Sequence, residues 1–203
     1  DTIILDNSIK RSIDFAQNHP DIAVVGCKVL NPDRSLQPTC FKFPSILNMF
    51  LSSTYLYKLF PKSKFFGREK ITWWQRDTVM DVDVVTGCYM LVRKSSIDKV
   101  GVMDERFFVY GEETDWCWRF KQAGYRVTFT PDAQIIHLGG QSTKKVSIAM
   151  TLQLRGSVLQ FIEKHKSKWQ YFIASFLVWL FCIVRIPVWL ICFALKRKDR
   201  KNN

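Results

Sequence analysis

The chain has 203 residues, 47% of them apolar and 14% aromatic, enough for one packed domain with an appendage and too much for a disordered polymer. Its net charge of +12 resembles that of a nucleic-acid binder until the charge is located: from Glu163 to the end, nine Lys and Arg face two acids, a local +7 that leaves +5 on the body. Lys164, Lys166 and Lys168 precede an apolar stretch and Lys196, Arg197, Lys198, Arg200 and Lys201 follow it, so an anionic lipid surface is the expected partner and nucleic acid is not.

From the N-terminus, a short apolar stretch at residues 3–5 precedes a helical pattern over 8–19. There Ile9, Ile13 and Ala16 share a face, and Pro20 ends the run. Residues 22–30 form a continuous β-branched run, read as a buried strand and closed by the turn chemistry of Asn31-Pro32-Asp33. Residues 41–80 are irregular. Pro44, Pro61 and Gly67 interrupt a basic, aromatic patch that includes Lys58, Lys64, Phe65, Phe66, Trp73 and Trp74, which predicts a mobile or membrane-facing insertion.

Residues 82–93 have strand character around Gly87, a short helix is expected over 95–100, and a longer one opens at Glu112 and stops at Gly124. Two short strands, 126–130 and 133–137, then close the soluble part. A helical stretch over 148–166 leads into residues 169–195, which are apolar on all faces apart from Arg185. That stretch is long enough to cross a bilayer of about 30 Å, but Arg185 and Pro187 interrupt it, so a tilted span, a re-entrant hairpin bent near Pro187 and a tail lying flat at the interface all remain open. The expected division is therefore 1–147 as a soluble part and 148–203 as a helix and membrane-associated tail.

The six cysteines are scattered without a CxxC pair, and Cys182 and Cys192 lie inside the apolar tail, which argues against a disulfide framework or a zinc site. No secretory signal opens the chain and residue 1 is Asp, so further sequence is expected upstream.

The densest polar constellation is Glu112, Glu113 and Asp115 at a helix start, where the macrodipole favours ionised carboxylates. An ordinary acidic first turn, with Asp115 paired to Arg119 at i, i+4, accounts for it equally. The neighbouring Phe107, Phe108, Tyr110, Trp116 and Trp118 supply apolar walls of the kind that line a sugar pocket. His137 follows a short strand beside Gly139 and Gly140. It reads either as a structural histidine or, with a carboxylate from Asp1, as part of a divalent metal site on a diphosphate.

Residues 82–143 carry a resemblance. Thr86-Gly87 after an apolar strand, then Asp104-Glu105, Phe107-Phe108, Tyr110, Glu112-Glu113, Asp115, Cys117, Arg119 and Gly124, then His137 and Ser142, resemble in order the C-terminal half of the rhamnosyltransferase-like glycosyltransferases of family 2. Residues 22–40 also resemble that family's segment after the donor site, so the likeness runs from residue 1 to about 145. The resemblance implies an α/β fold: a partial GT-A (nucleotide-diphospho-sugar transferase) fold without its N-terminal donor-binding half, followed by the membrane-associated helical segment. It also implies an inverting enzyme that moves a sugar, rhamnose by likeness, from a nucleotide sugar to a lipid-linked saccharide or glycan acceptor at the cytoplasmic face of the cell membrane.

By the same resemblance Glu113 is the general base and Glu112 orients the site. Asp1 and His137 ligate a divalent cation, Mg or Mn, and Thr86, Gly87, Asp115 and Trp116 are candidates for acceptor contact. Glu113 departs from the family's Asp by one methylene. The competing expectation is a membrane-attached binding or scaffold fragment of the same fold without donor chemistry.

Overall fold

The computed structural model describes residues 1–139 and 147–199, with side chains over 1–139 and 148–186. The architecture is mixed α/β. In chain order it runs β1 (Thr2–Leu5), α1 (Ser8–Gln17), β2 (Ile22–Leu30), α2 (Ile46–Thr54), α3 (Leu56–Leu59), β3 (Met80–Asp81), β4 (Leu91–Val92), α4 (Lys94–Val100), α5 (Glu112–Gln122), β5 (Arg126–His137), α6 (Ser147–His165) and α7 (Lys168–Asp199).

The central strand is β5, parallel to β2 along its length and antiparallel on its other edge to β3 and then β1. The two strands expected over 126–130 and 133–137 are one. The register jumps from Cys27 opposite Thr130 to Lys28 opposite Gln134, so Pro131, Asp132 and Ala133 form a bulge. Pro131, which has no N–H to donate, sits where the ladder is interrupted.

The strand expected over 82–93 is broken. Val84 bridges Phe41, the chain turns at Thr86 to Tyr89, and only Leu91–Val92 rejoin β2. The break turns Thr86 and Gly87 away from the sheet. On α1 the expected apolar face is outward: Ile9 and Ile13 are 46% and 38% exposed, whereas Ser8 and Ser12 are buried. The reason is polar docking at close range. Ser8 Oγ accepts from Gln134 N at 2.7 Å, Ser12 Oγ accepts from Tyr89 Oη at 2.8 Å, and Arg93 donates to the carbonyls of Ala16, His19 and Ile22.

The main core lies between the sheet and α5, with Trp116, Cys117 and Phe120 against Val24, Val127 and Phe129. A second core joins Met49 of α2, Phe107, Phe161 and Ile162 of α6, and Ala174 of α7. Residues 41–80 are thus a folded segment rather than a loose insertion. Buried Arg76 holds it by donating to the carbonyls of Ile71 at 2.7 Å and Lys70 at 2.8 Å, while Ile71 and Trp74 enter the main core.

The helix α7 runs on through Pro187 without the bend a re-entrant hairpin needs. Over Lys168–Ile186 it is long and apolar enough to cross a membrane, and only 11% of that window is buried, unlike the core helix of a soluble protein. Helix α6 packs into the second core, which it shares with Ala174 of α7.

Candidate active site

The site begins with a reversal. Tyr110 (φ 66°) and Gly111 (φ 96°) are successive left-handed residues that turn the chain into α5 and bring Glu112 and Glu113 to its first turn. A Cβ at Gly111 would stand 3.0 Å from Phe107 Cδ1 and 3.1 Å from Ser157 Cβ, so α6 closes over this turn only because position 111 has no side chain. Ser157 Oγ then donates to Val109 O at 3.1 Å and fixes that approach.

Glu113 opens onto a cavity of about 330 Å³. Phe41, Pro44 and Val84 form one apolar wall and Leu154, Val158 and Phe161 of α6 the other; Lys42, Glu69, Lys70, Thr86, Tyr110 and Ser157 supply polar atoms. An apolar cleft with a few converging polar groups is the ordinary form of a small-ligand site. Burial pushes the Glu113 carboxyl up to about 7, and the adjacent charge of Glu112 adds to the rise against the backbone N–H groups of the helix turn. A carboxylate with that pKa can accept a proton near neutral pH. Glu112 Oε2 is buried without a hydrogen-bond partner beside it, so the adjacent carboxyl adds to what burial does to Glu113.

The four candidates for acceptor contact separate. Thr86 lines the cavity beside Glu113, and Gly87 is exposed next to it with open space around it. Trp116 instead turns into the main core, where its Nε1 donates to Gly101 O at 2.8 Å. Asp115 has no solvent exposure, and Arg119 Nε, Lys164 Nζ and His165 Nε2 approach its oxygens at 2.8, 2.6 and 2.6 Å. Both occupy the inward face of α5, so they hold that helix rather than face the cavity.

A second group gathers at the carboxyl end of β5. Pairing of Thr2 with His137 sets Asp1 beside the ring, with Asp1 Oδ1 3.5 Å from His137 Nε2. Partial burial holds His137 below the ordinary imidazole pKa. Its Nδ1 lies 2.8 Å from Gln37 Oε1, which leaves Nε2 and the carboxylate converging on one space. Two ligands of one divalent cation, each at about 2.1 Å, stand roughly 3 Å apart or slightly more, so the pair fits such an ion. Among the described residues no cluster of three or more His, Cys, Asp or Glu adds to it. Ser142 lies outside the described residues.

Cys88 meets the first group through Thr86, whose Oγ1 is 3.3 Å from its Sγ. The charge of Glu113 adds to the upward shift that burial gives its thiol, and Cys88 also packs on the cluster containing Ile135, two residues from His137. Residues not anticipated from the sequence are Gln37, Glu69, and Leu154, Ser157, Val158 and Phe161 of α6. The last four share one helical face at i, i+3, i+4 and i+7, a signal that was present; Gln37 had none beyond the turn before it.

No protein-family model matches the chain. The chain is 26% identical over 165 residues, 80% of its length, to the N-acetylglucosaminyl-diphospho-decaprenol L-rhamnosyltransferase of Mycobacterium tuberculosis. It is 32% identical over 79 residues, 39% of the chain and 27% of the relative, to the dTDP-rhamnosyl transferase RfbF of Shigella flexneri. Over 61 residues, 30% of the chain and 22% of the relative, it is 41% identical to the rhamnosyltransferase WbbL of Escherichia coli (strain K12). The match covers 52% of the mycobacterial relative, so the chain spans about half the length of that protein. The relatives are rhamnosyltransferases, and the likeness to that kind of glycosyltransferase stands on them.

Proposed function

We propose that this chain is the acceptor-side part of an inverting glycosyltransferase of the GT-A type, which moves a sugar from a nucleotide sugar to a hydroxyl of a lipid-linked saccharide or glycan in cell-envelope synthesis. The observation that carries the reading is a buried carboxylate, Glu113, with a pKa near 7 at the edge of an apolar cavity. In the reaction Glu113 takes the proton of the acceptor hydroxyl as its oxygen attacks the anomeric carbon, and a single displacement inverts that carbon. Burial keeps Glu113 basic, with Glu112 adding to the effect, and Thr86 and Gly87 flank the place where an acceptor hydroxyl would enter.

Asp1 and His137 would hold a divalent cation, Mg or Mn, and such an ion, when bound, neutralises the departing diphosphate. The relatives' names point to rhamnose as the sugar; the Shigella name gives a dTDP-rhamnose donor and the mycobacterial name an N-acetylglucosaminyl-diphospho-decaprenol acceptor. Lys42 and Lys70 at the cavity and the apolar face of α6 suit an acceptor that is anionic and lipid-linked. The exposed apolar length of α7 and the exposed Phe50, Leu59, Phe60 and Phe65 support attachment to the bilayer. The cytoplasmic face follows because nucleotide sugars are made in the cytosol.

The test is transfer by the full-length protein from a panel of nucleotide sugars, with Mn²⁺ or Mg²⁺, to membrane lipid extract. Transfer by wild type, with Glu113→Gln binding donor but failing to transfer, supports the reading. Equal transfer by both makes Glu113 structural and the reading wrong.

A further inference from the structure

His137 stands at the end of a chain of hydrogen bonds whose directions are all fixed by its far end. Asp33 is a carboxylate and can only accept, so Ser35 Oγ donates to Asp33 Oδ1 at 2.6 Å. With its only proton used, Ser35 Oγ must accept from Asn31, whose Nδ2 lies 2.9 Å away. That orients the Asn31 amide with Oδ1 toward Gln37, whose Nε2 donates to it at 2.8 Å. Gln37 is thereby oriented in turn, with Oε1 2.8 Å from His137 Nδ1. An amide oxygen can only accept, so Nδ1 carries the proton.

The backbone prepares this arrangement. The turn after β2 closes through Asn31 N to Ser35 O at 2.8 Å, and Gln37 N donates to Val29 O at 2.9 Å, which returns Gln37 alongside the strand that pairs with β5 next to His137. Gly139 (φ 40°) lies over the pair, where a Cβ would stand 3.4 Å from His137 Nδ1 and 3.5 Å from Gln37 Nε2.

We propose that Gln37 is a positioning residue: by accepting the Nδ1 proton of His137, it turns the Nε2 lone pair toward the Asp1 carboxylate and presents both to a divalent cation. With the Nδ1 proton given to Gln37, Nε2 is the ring nitrogen that faces the Asp1 carboxylate, 3.5 Å away, and a cation between them would draw on both. The inference rests on the reading of Asp1 and His137 as cation ligands given above. Asn31 acts one step further out, through Gln37.

The experiment is nitrogen NMR of the full-length protein with ¹⁵N-labelled histidine, in which His137 is assigned by loss of its signals in His137→Asn. Spectra are taken without metal and then with Mn²⁺ and thymidine diphosphate. Wild type should show a protonated Nδ1 and a bare Nε2 before metal is added. Gln37→Leu should mix the tautomers and weaken Mn²⁺ binding about tenfold or more, the usual effect of losing a partner behind a ligating histidine. Gln37→Glu, which still accepts from Nδ1, should restore both, and unchanged His19 and His165 signals report that the variants are folded.

A protonated Nε2 in the metal-free wild type, or an unchanged tautomer in folded Gln37→Leu, overturns the relay and leaves the cation reading standing. Thymidine diphosphate that binds while Mn²⁺ fails to perturb wild-type His137 overturns the cation reading, and the relay's purpose with it.

Discussion

Lys164 and Asp115 are 49 residues apart in sequence and meet at 2.6 Å, at a carboxylate with no solvent exposure. Lys164 also reaches Asp104 at 2.7 Å, and the neighbouring His165 reaches the same Asp115 oxygen at 2.6 Å. The end of α6 is therefore bolted to the inward face of α5, two residues along the helix from Glu113. Removing one side of a buried ion pair leaves unpaired charge, so Asp115→Ala should cost about 3 kcal/mol. That lowers the midpoint of thermal unfolding by roughly 5 to 10 °C, while Asp115→Glu or →Asn should keep part of the loss back.

Acid should loosen the same contact in two stages. Burial holds His165 below its ordinary pKa despite Asp115, so its contribution is complete above about pH 6.5 and fades as pH falls toward the depressed folded value. Three donors, Lys164, His165 and Arg119, hold Asp115 below the usual carboxyl range against the opposing effect of burial. Its contribution is present above about pH 3.9 and is lost only as pH falls through the lower folded value. Unfolding curves between pH 8 and 3 should show both stages, and His165→Gln should erase the upper one.

Glu113 carries the opposite sign. Its folded pKa of about 7 lies above the unfolded carboxyl value, so the fold favours the protonated form and loses stability as pH rises to 7. Its ionised form is the base, so transfer rate should rise with pH and level off above 7. Glu113→Gln should then lower transfer by about 10²- to 10⁴-fold while raising thermal stability at pH 8. Glu112→Gln removes the neighbouring charge and should shift the rate curve toward acid. A pH profile unmoved by Glu112→Gln would show that the two carboxyls do not interact.

Gly111→Ala tests the closure of α6. The left-handed backbone at φ 96° and the approach of Phe107 and Ser157 both oppose a Cβ, with strain of about 1–3 kcal/mol. The expected result is a lower unfolding midpoint and a raised acceptor KM, since Leu154, Val158 and Phe161 move with α6.

Phe172, Phe176 and Trp179 are 76%, 53% and 56% exposed on α7. Burying such side chains in an apolar medium is worth about 1.5–3 kcal/mol each. Their joint replacement by Ser should reduce co-sedimentation with phosphatidylglycerol vesicles at least tenfold. Unchanged sedimentation would mean that this face packs on protein instead.

The sequence by itself determined the features governed by local chemistry. Continuous β-branched residues at 22–30 gave a buried strand, Gly124 stopped α5, and the run after residue 168 was too apolar to be anything but a long exposed helix or a span. It also singled out Glu113 as a candidate, because an acidic pair between aromatic runs is visible without coordinates. Only tertiary structure decided which side of each element faces inward. Ser8 and Ser12 replaced Ile9 and Ile13 as the buried face of α1 because a strand carbonyl and amide were within reach of the Ser8 hydroxyl and the Tyr89 hydroxyl within reach of that of Ser12. Likewise Asp115 and Trp116 left the candidate site for the core, since α5 turns those positions toward α6 and the sheet. Gln37 reached His137 across 100 residues only because parallel pairing of β2 and β5 sets their carboxyl ends side by side. Local propensity is written residue by residue, whereas burial and ligand geometry belong to contacts between distant segments, which periodicity does not encode.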